Sequence, residues 1–370
     1  MNGALRAALL LTTAAAGWFI ADWFGLHDVT GSAAYAWLIT ALLGTGLYAA
    51  AYGIDLQEAR THLRTVILAV TVGVMAKVAV IATVMVVFFG DSRMILLAVA
   101  VAQIDPLSVA ALRHRSKLSP AASSLLSAWA SFDDPITVLL TAYLAAFVLH
   151  GEGDAGLGAL DTGLLPFLAN LGLNLLFAAL AFVLWRAYES RWRARVPKTA
   201  VRRRWAVVAA VVVVLALATV AVSYALLLSL AFIGLFVRPR IASAIDRIAT
   251  AALYAATFAI GMVVVVDRPT ALAGIVLGAA AFFAQFLIAL LLPARGLSAA
   301  DRMGLAFAQQ NGLTAIVLAL LLEPLYPGAA GTIAFAVVVI NVLHGVANAV
   351  RRVEDEPVRP VRLPRPEPRP

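Results

Sequence analysis

The chain has 370 residues, of which 63% are hydrophobic and 13% charged, with no cysteine and a net charge of +8; its mean hydropathy is +0.94. Soluble domains carry about 25% charged residues, so a soluble fold is excluded, and so are a disulfide framework, a thiolate metal site and a cysteine nucleophile. The positive charge is no nucleic-acid signature, because it sits in the short segments between apolar runs.

Apolar runs of membrane-spanning length recur from end to end. They predict twelve spans, near 4–21, 33–52, 65–89, 94–112, 120–149, 163–186, 205–221, 223–238, 248–266, 270–292, 303–322 and 329–350. With the N-terminus inside, every Lys and Arg except Lys77, Arg93 and Arg268 falls on the cytoplasmic side. The outer loops carry Asp22, Asp28, Asp91, Glu152, Asp154, Asp161, Asp267 and Glu323. This alternation follows the positive-inside rule and places both termini in the cytoplasm. It makes the N-terminal segment an uncleaved first span rather than a signal peptide. It also splits the apolar run 205–237 at Ser223-Tyr224, against the alternative of one long tilted helix. Outside the membrane lie a basic loop, 186–204, and a Pro- and Arg-rich tail, 351–370, which is expected to be disordered.

Few ionisable groups remain at depth: Lys77 on the third span, Asp105 on the fourth, Asp133 and Asp134 on the fifth. His150 and His344 lie near span ends and read as interfacial. An Asp at a helix centre opposes insertion by about 2.5–3.5 kcal/mol, so the adjacent pair must face a water-filled cavity or a partner. Asp105 occurs in Gln103-Ile-Asp-Pro106. Proline has no N–H, so the carbonyl of Ala102 loses its helical donor and the helix is expected to break. Such a break is tolerated only where it is buried in protein or lines a cavity. Pro135 is expected likewise to free the carbonyl of Ser131, one turn below the aspartate pair. Carboxylates and freed carbonyls are hard oxygen ligands. They mark Asp134, Asp133 and the Ser131 carbonyl as ligands for a monovalent metal cation that competes with protons. The eleventh span holds Gln309-Gln310-Asn311-Gly312. Its amides can satisfy an unwound backbone, and Gln310 and Asn311 with Gln103 form the polar cluster of two broken helices. A pair of such helices in matching positions of two halves marks inverted-repeat transporters.

In this order the segments resemble those of the monovalent cation–proton antiporter superfamily, which includes the bacterial sodium/proton antiporters. Leu43-Gly-Thr-Gly-Leu-Tyr-Ala-Ala-Ala-Tyr-Gly-Ile-Asp55 resembles a glycine-rich segment closing an early span. Gln103-Ile-Asp-Pro-Leu-Ser-Val-Ala, Lys117-Leu-Ser-Pro120 and Phe132-Asp-Asp-Pro135 resemble the broken helix and the ion-site helix. Phe258-Ala-Ile-Gly-Met262 and the run 302–320 resemble late spans, so the match covers most of the chain. The resemblance implies an all-α polytopic membrane protein of about twelve helices. Residues 1–350 would form the antiporter domain, with inverted repeats at about 1–190 and 205–350 and two broken helices crossing at the midplane. It implies a transporter rather than an enzyme, with no cofactor, exchanging sodium or another monovalent cation for protons by alternating access. Exchange would be electrogenic, in a homodimer embedded in the lipid bilayer of a prokaryotic inner membrane, without nucleic acid. A sodium-coupled symporter of related fold is the alternative. An intramembrane aspartyl protease fits poorly, because adjacent aspartates cannot flank a scissile bond.

Carried over by position, Asp134 matches the family's ion-binding carboxylate, Asp133 the preceding position, which is Asp in electrogenic members, and Asp105 the acidic residue of the broken fourth helix. Three departures stand out. Ile104 replaces a threonine, Trp129 stands where the electroneutral branch has glutamate, and Gln285 stands where many electrogenic members carry the lysine that pairs with the first aspartate. Lys77 lies 28 residues before Asp105, and Gln285 lies 26 before Asn311. Asn341 follows Asn311 by 30, against 29 from Asp105 to Asp134. With the third and tenth spans as symmetry mates, Lys77 is expected to take over the missing lysine's role, paired with Asp133 or Asp105. Neighbouring helical residues project about 100° apart, so the two aspartates cannot face the same point; by the resemblance Asp134 is expected in the cavity, with Asp133 toward Lys77.

Overall fold

The computed structural model describes residues 3–26, 29–54, 63–106, 109, 118–149, 164–193, 200–224, 226–238, 241–264, 268–293 and 296–354. Among them every regular element is a helix. The first two are α1 (Gly3–Phe24) and α2 (Ala33–Tyr52), the latter capped by the Ser32 hydroxyl, which accepts from the Tyr35 N–H. Leu63–Leu68, a π-helical turn at Ala69–Gly73 and Val74–Phe89 run on as one helix, α3. Then come α4 (Met94–Val101), α5 (Pro120–Leu149), α6 (Leu164–Arg193), α7 (Ala200–Ser223) and α8 (Leu227–Phe236). The last five are α9 (Ala242–Val263), α10 (Arg268–Leu291), α11 (Ala299–Ala306), α12 (Leu313–Leu322) and α13 (Ala329–Glu354).

Among the described residues, six stretches are long and apolar enough to cross a bilayer: Ala33–Tyr52, Arg64–Phe89, Leu168–Ala187, Ala242–Val263, Thr270–Leu291 and Ala329–Val350. Shorter apolar helices are Ala8–Phe24, Val211–Ser223 and Leu313–Leu322. The run 205–237 is divided, α7 ending at Ser223 and α8 beginning at Leu227.

Two expectations change. The basic loop 186–204 is largely helical, since α6 continues to Arg193 and α7 already starts at Ala200. Arginine and alanine are good helix formers, and leaving hydrocarbon removes the lipid contact without ending the hydrogen-bond ladder. Residues 194–199 lie outside the described residues. The tail begins later than 351, because α13 carries on to Glu354, while 355–370 lie outside the described residues, as do His150 and the basic stretch 113–117. Pro135 sits within α5, which passes through it; its missing N–H withholds a helical donor from the Ser131 carbonyl, a gap that a long membrane helix tolerates. The Thr137 hydroxyl lies 3.0 Å from the carbonyl oxygens of both Asp133 and Asp134.

Lipid tails are as apolar as leucine, so membrane helices associate through close packing more than through apolar burial. Glycine provides the closeness here. A Cβ on Gly17 of α1 would fall on the Phe258 carbonyl, and one on Gly261 of α9 on the Ala14 carbonyl, so these two backbones touch. Gly274 and Gly278 of α10 do the same against α13: added Cβ atoms would stand 2.6 Å from the Thr332 oxygen and 2.8 Å from that of Ala336. At the centre lie the short helices α4 and α12. Residues 96–101 of α4 are fully buried, as are Val317–Leu320 of α12. Both are apolar all round, the pattern of a helix enclosed by protein. Their ends therefore meet inside the molecule.

Candidate functional site

Two helical paths are interrupted at that centre. Helix α4 stops at Val101, ahead of Gln103-Ile-Asp-Pro106, and residues 307–312 are non-helical between α11 and α12. An unwound backbone away from water must find partners, and each interruption supplies them to the other. The Asp105 N–H donates to the Gln310 carbonyl at 2.8 Å. Gln309 Nε2 donates to the carbonyls of Val101 (3.0 Å) and Gln103 (2.7 Å) and to Asn311 Oδ1 (2.8 Å). Asn311 Nδ2 also donates to the Val101 carbonyl, at 3.0 Å. From α13, Asn341 brackets Asn311: its Nδ2 donates to the Asn311 carbonyl (2.9 Å) and its Oδ1 accepts from the Asn311 N–H (3.3 Å). His344 Nδ1 donates to the Phe307 carbonyl at 2.7 Å. Only glycine fits at 312, since a Cβ there would stand 2.5 Å from Asp105 Oδ2.

The adjacent aspartates of α5 face different partners, as a 100° separation requires. Asp133 Oδ2 lies 3.0 Å from Lys77 Nζ of α3, with both side chains fully buried, and it accepts the Ile104 N–H at 3.1 Å. The other oxygen, Oδ1, has no hydrogen-bond partner among the described residues. Lys77 Nζ also lies 5.4 Å from the ring centre of Trp129, within cation–π range. The lysine thus neutralises Asp133 while its charge rests on an aromatic face.

Asp134, 1% exposed, has only neutral donors on its carboxylate among the described residues. Thr314 Oγ1, in the first turn of α12, donates to Oδ2 at 2.8 Å. Gln103 supplies the second donor. The amide orientation that satisfies both of its ends has the oxygen accepting the Ala315 N–H (2.8 Å) and the nitrogen donating to Asp134 Oδ1 (2.8 Å) and Thr137 Oγ1 (2.9 Å). Asp134 is therefore held between Gln103 of the first interruption and Thr314 at the start of α12.

The structure brings Lys77, Gln103, Asp105, Asp133, Asp134 and Asn311 into one buried cluster, with Asn341, itself exposed on α13, hydrogen-bonded to Asn311. Gln310 contributes its carbonyl. Gln285 sits apart from the ion pair, fully buried on α10, its Nε2 donating to the Leu305 carbonyl at 3.1 Å. Ser131 is buried in unbroken α5, and its hydroxyl donates to the Ser127 carbonyl at 2.8 Å. Sequence reasoning named neither Thr314 nor Thr137, passed over Gln309, which makes two of the cross-links, and read His344 as interfacial. At the start of α5, Asp301 caps α11 through Ser298 and accepts the Ser119 N–H at 2.8 Å, tying the starts of α5 and α11 together. Burial alone would push its carboxyl up, but the Ser119 and Ser298 hydrogen bonds hold it below its usual value.

Scans against protein-family models and against curated proteins find no match for the chain. Among solved structures it is similar to the sodium proton antiporter MjNhaP1 from Methanocaldococcus jannaschii, at 16% sequence identity and a TM-score of 0.65. The match covers 91% of this chain and 92% of that one. The two chains share a fold along nearly their whole length, that of a polytopic helical membrane protein.

Proposed function

We propose that the protein is a secondary active transporter that exchanges a monovalent cation, sodium first, for protons by alternating access. One observation carries the reading. Asp134 is a buried carboxylate whose hydrogen-bond donors among the described residues are all neutral, and an uncompensated charge in such a place is not sustained. It must hold either a proton or a cation, and those two occupants exclude each other. Mutually exclusive occupancy, combined with access from alternating sides, is antiport. The shared fold with a protein described as a sodium proton antiporter supports the same reading.

The neighbouring pair gives the stoichiometry. Asp133 and Lys77 form a second titratable unit beside the ligand, so more than one proton per cation crosses and exchange is electrogenic. Lys77 fills the place that Gln285 leaves empty on the opposite helix. Inverted repeats at about 1–190 and 205–350 are supported by a matched detail. The Ile104 N–H is taken by a side chain 29 residues on, Asp133, and the Asn311 N–H by one 30 residues on, Asn341. The two interruptions are then the broken helices of the two repeats, crossing at the midplane. The protein works as a homodimer in a prokaryotic inner membrane with both termini cytoplasmic. It needs no cofactor beyond the transported ions.

The test is exchange in proteoliposomes, with sodium, lithium and potassium, with and without a clamped membrane potential. Wild type should move protons against a cation gradient and respond to the potential. Asp134→Asn should be inactive, and Asp133→Asn should change the charge moved per cation. Full exchange by Asp134→Asn refutes the assignment, and uptake of an organic solute driven by sodium would replace antiport with symport.

A further inference from the structure

The proposal here rests on Asp134 being the ion-binding carboxylate and concerns which other atom the two ions contest. Its two oxygens are not equivalent. Oδ1 faces the Gln103 amide nitrogen, which can only donate. That amide cannot turn over, because its oxygen accepts the Ala315 N–H at 2.8 Å, and a reversed amide would set N–H against N–H. Oδ1 is therefore always an acceptor, and a proton arriving on Asp134 must sit on Oδ2. Oδ2 faces Thr314 Oγ1 at 2.8 Å.

A hydroxyl has one donor and two acceptor positions, so Thr314 serves both states of the carboxylate. When Asp134 is ionised, Thr314 donates to Oδ2 and its lone pairs are left for a cation. When Asp134 is protonated, the bond reverses: Oδ2–H donates to Oγ1 and the threonine proton turns away. A lone pair used by that O–H is not open to a cation. We infer that Thr314 Oγ1 is a direct ligand of the transported cation and the second atom, after Asp134 Oδ2, for which cation and proton compete, while Gln103 is the positioning residue that aims the proton at it.

The surroundings suit this role. Thr314 is 2% exposed and is the second residue of α12, two residues after Gly312, against whose backbone the Asp105 carboxylate lies. Charged groups acting on Asp134 are Asp105, Asp133 and Lys77. Lys77 is engaged with Asp133, and the Asp134–Thr314 side gathers several hard oxygens, the chemistry of a small monovalent cation. Ile104, in the other interruption, brings no side-chain oxygen.

Sodium binding to the purified full-length protein, followed by calorimetry and by sodium-dependent thermal stabilisation, tests the assignment alongside proteoliposome exchange. Thr314→Val keeps the shape and removes the oxygen; Thr314→Ser restores it. Thr314→Val should weaken sodium binding and raise the half-saturating sodium concentration by about 10- to 100-fold, the usual loss for a residue supporting a bound metal. Thr314→Ser should stay near wild type. Gln103→Met should change the pH profile of exchange more than the maximal rate. Wild-type sodium affinity in a folded Thr314→Val, with Asp134→Asn non-binding, overturns the ligand role and leaves antiport standing. Should Thr314→Val fail to fold, Thr314→Ser decides: a tenfold loss of affinity with the hydroxyl retained overturns the role. Undiminished sodium binding in Asp134→Asn overturns both this inference and the reading beneath it.

Discussion

Lys77→Met probes the buried pair directly. At 3.0 Å two unit charges attract by about 5 to 6 kcal/mol at an effective dielectric of about 20. Removing both from water costs several kcal/mol per ion, so the intact pair contributes little net stability. Breaking it is different. Methionine fills much of the lysine's volume but leaves Asp133 buried with the Ile104 N–H as its remaining donor. A stranded charge of this kind costs about 3–5 kcal/mol. Asp133→Asn in the Lys77→Met background removes that charge and keeps an acceptor for Ile104. The double variant should recover most of the loss, with a coupling energy of up to about 3 kcal/mol between the two sites. The assay is unfolding of the purified protein in mixed detergent micelles, monitored by circular dichroism, for wild type, both single variants and the double. A Lys77→Met protein as stable as wild type, or a double variant carrying the full sum of the single losses, would refute the account of this pair.

Two further outcomes follow from the geometry. Gly312→Ala puts a methyl group 2.5 Å from Asp105 Oδ2 and should cost about 1–3 kcal/mol and most cation binding. Gly345→Ala, with nothing within 4 Å, should be neutral or slightly stabilising on the same unfolding scale. At the Asp301 cap, a carboxyl titrating below its usual value gives stability that is complete above the ordinary carboxylate range and is lost as pH falls through the folded-state value. Wild type should therefore exceed Asp301→Asn in stability by about 1 kcal/mol at neutral pH. The gap should close as the buffer is taken from about pH 5 downwards. A gap that widens on acidification contradicts the assignment.

The carboxylates and Lys77 were legible in the sequence because a charge in an apolar run is energetically conspicuous. The direction of each side chain was partly legible too, since neighbours on a helix diverge. Thr314 was not. Thr40, Thr45, Thr83, Thr250 and Thr257 each turn the hydroxyl back to their own helix, four residues earlier. Nothing in the residue type says that Thr314 instead reaches across to α5. The two prolines at depth differ in a way the sequence does not show. Pro106 and Pro135 both follow an aspartate, yet only the first lies beside an interruption, because partners from 309–311 were available to hold an unwound backbone there. Gln309 was visible within its cluster, but ranking it above Gln310 needed the location of the Val101 and Gln103 carbonyls.

The stitching of the two interruptions also bears on how the protein is made. The carbonyl of Gln103 and the amide of Gln309 that satisfies it are 206 residues apart. Chains are synthesised at about 5–20 residues per second, so the first interruption emerges roughly 10 to 40 seconds before its partner exists. Throughout that interval the segment 101–105 sits in the nascent first half without the donors it has in the finished molecule. It must wait as continuous helix or in contact with water, and it takes its final form only when 309–311 arrive. The proposed ion site is thus among the last parts of the molecule to be completed, and a ribosome that stops before residue 309 leaves a membrane-inserted chain in which that site is unfinished.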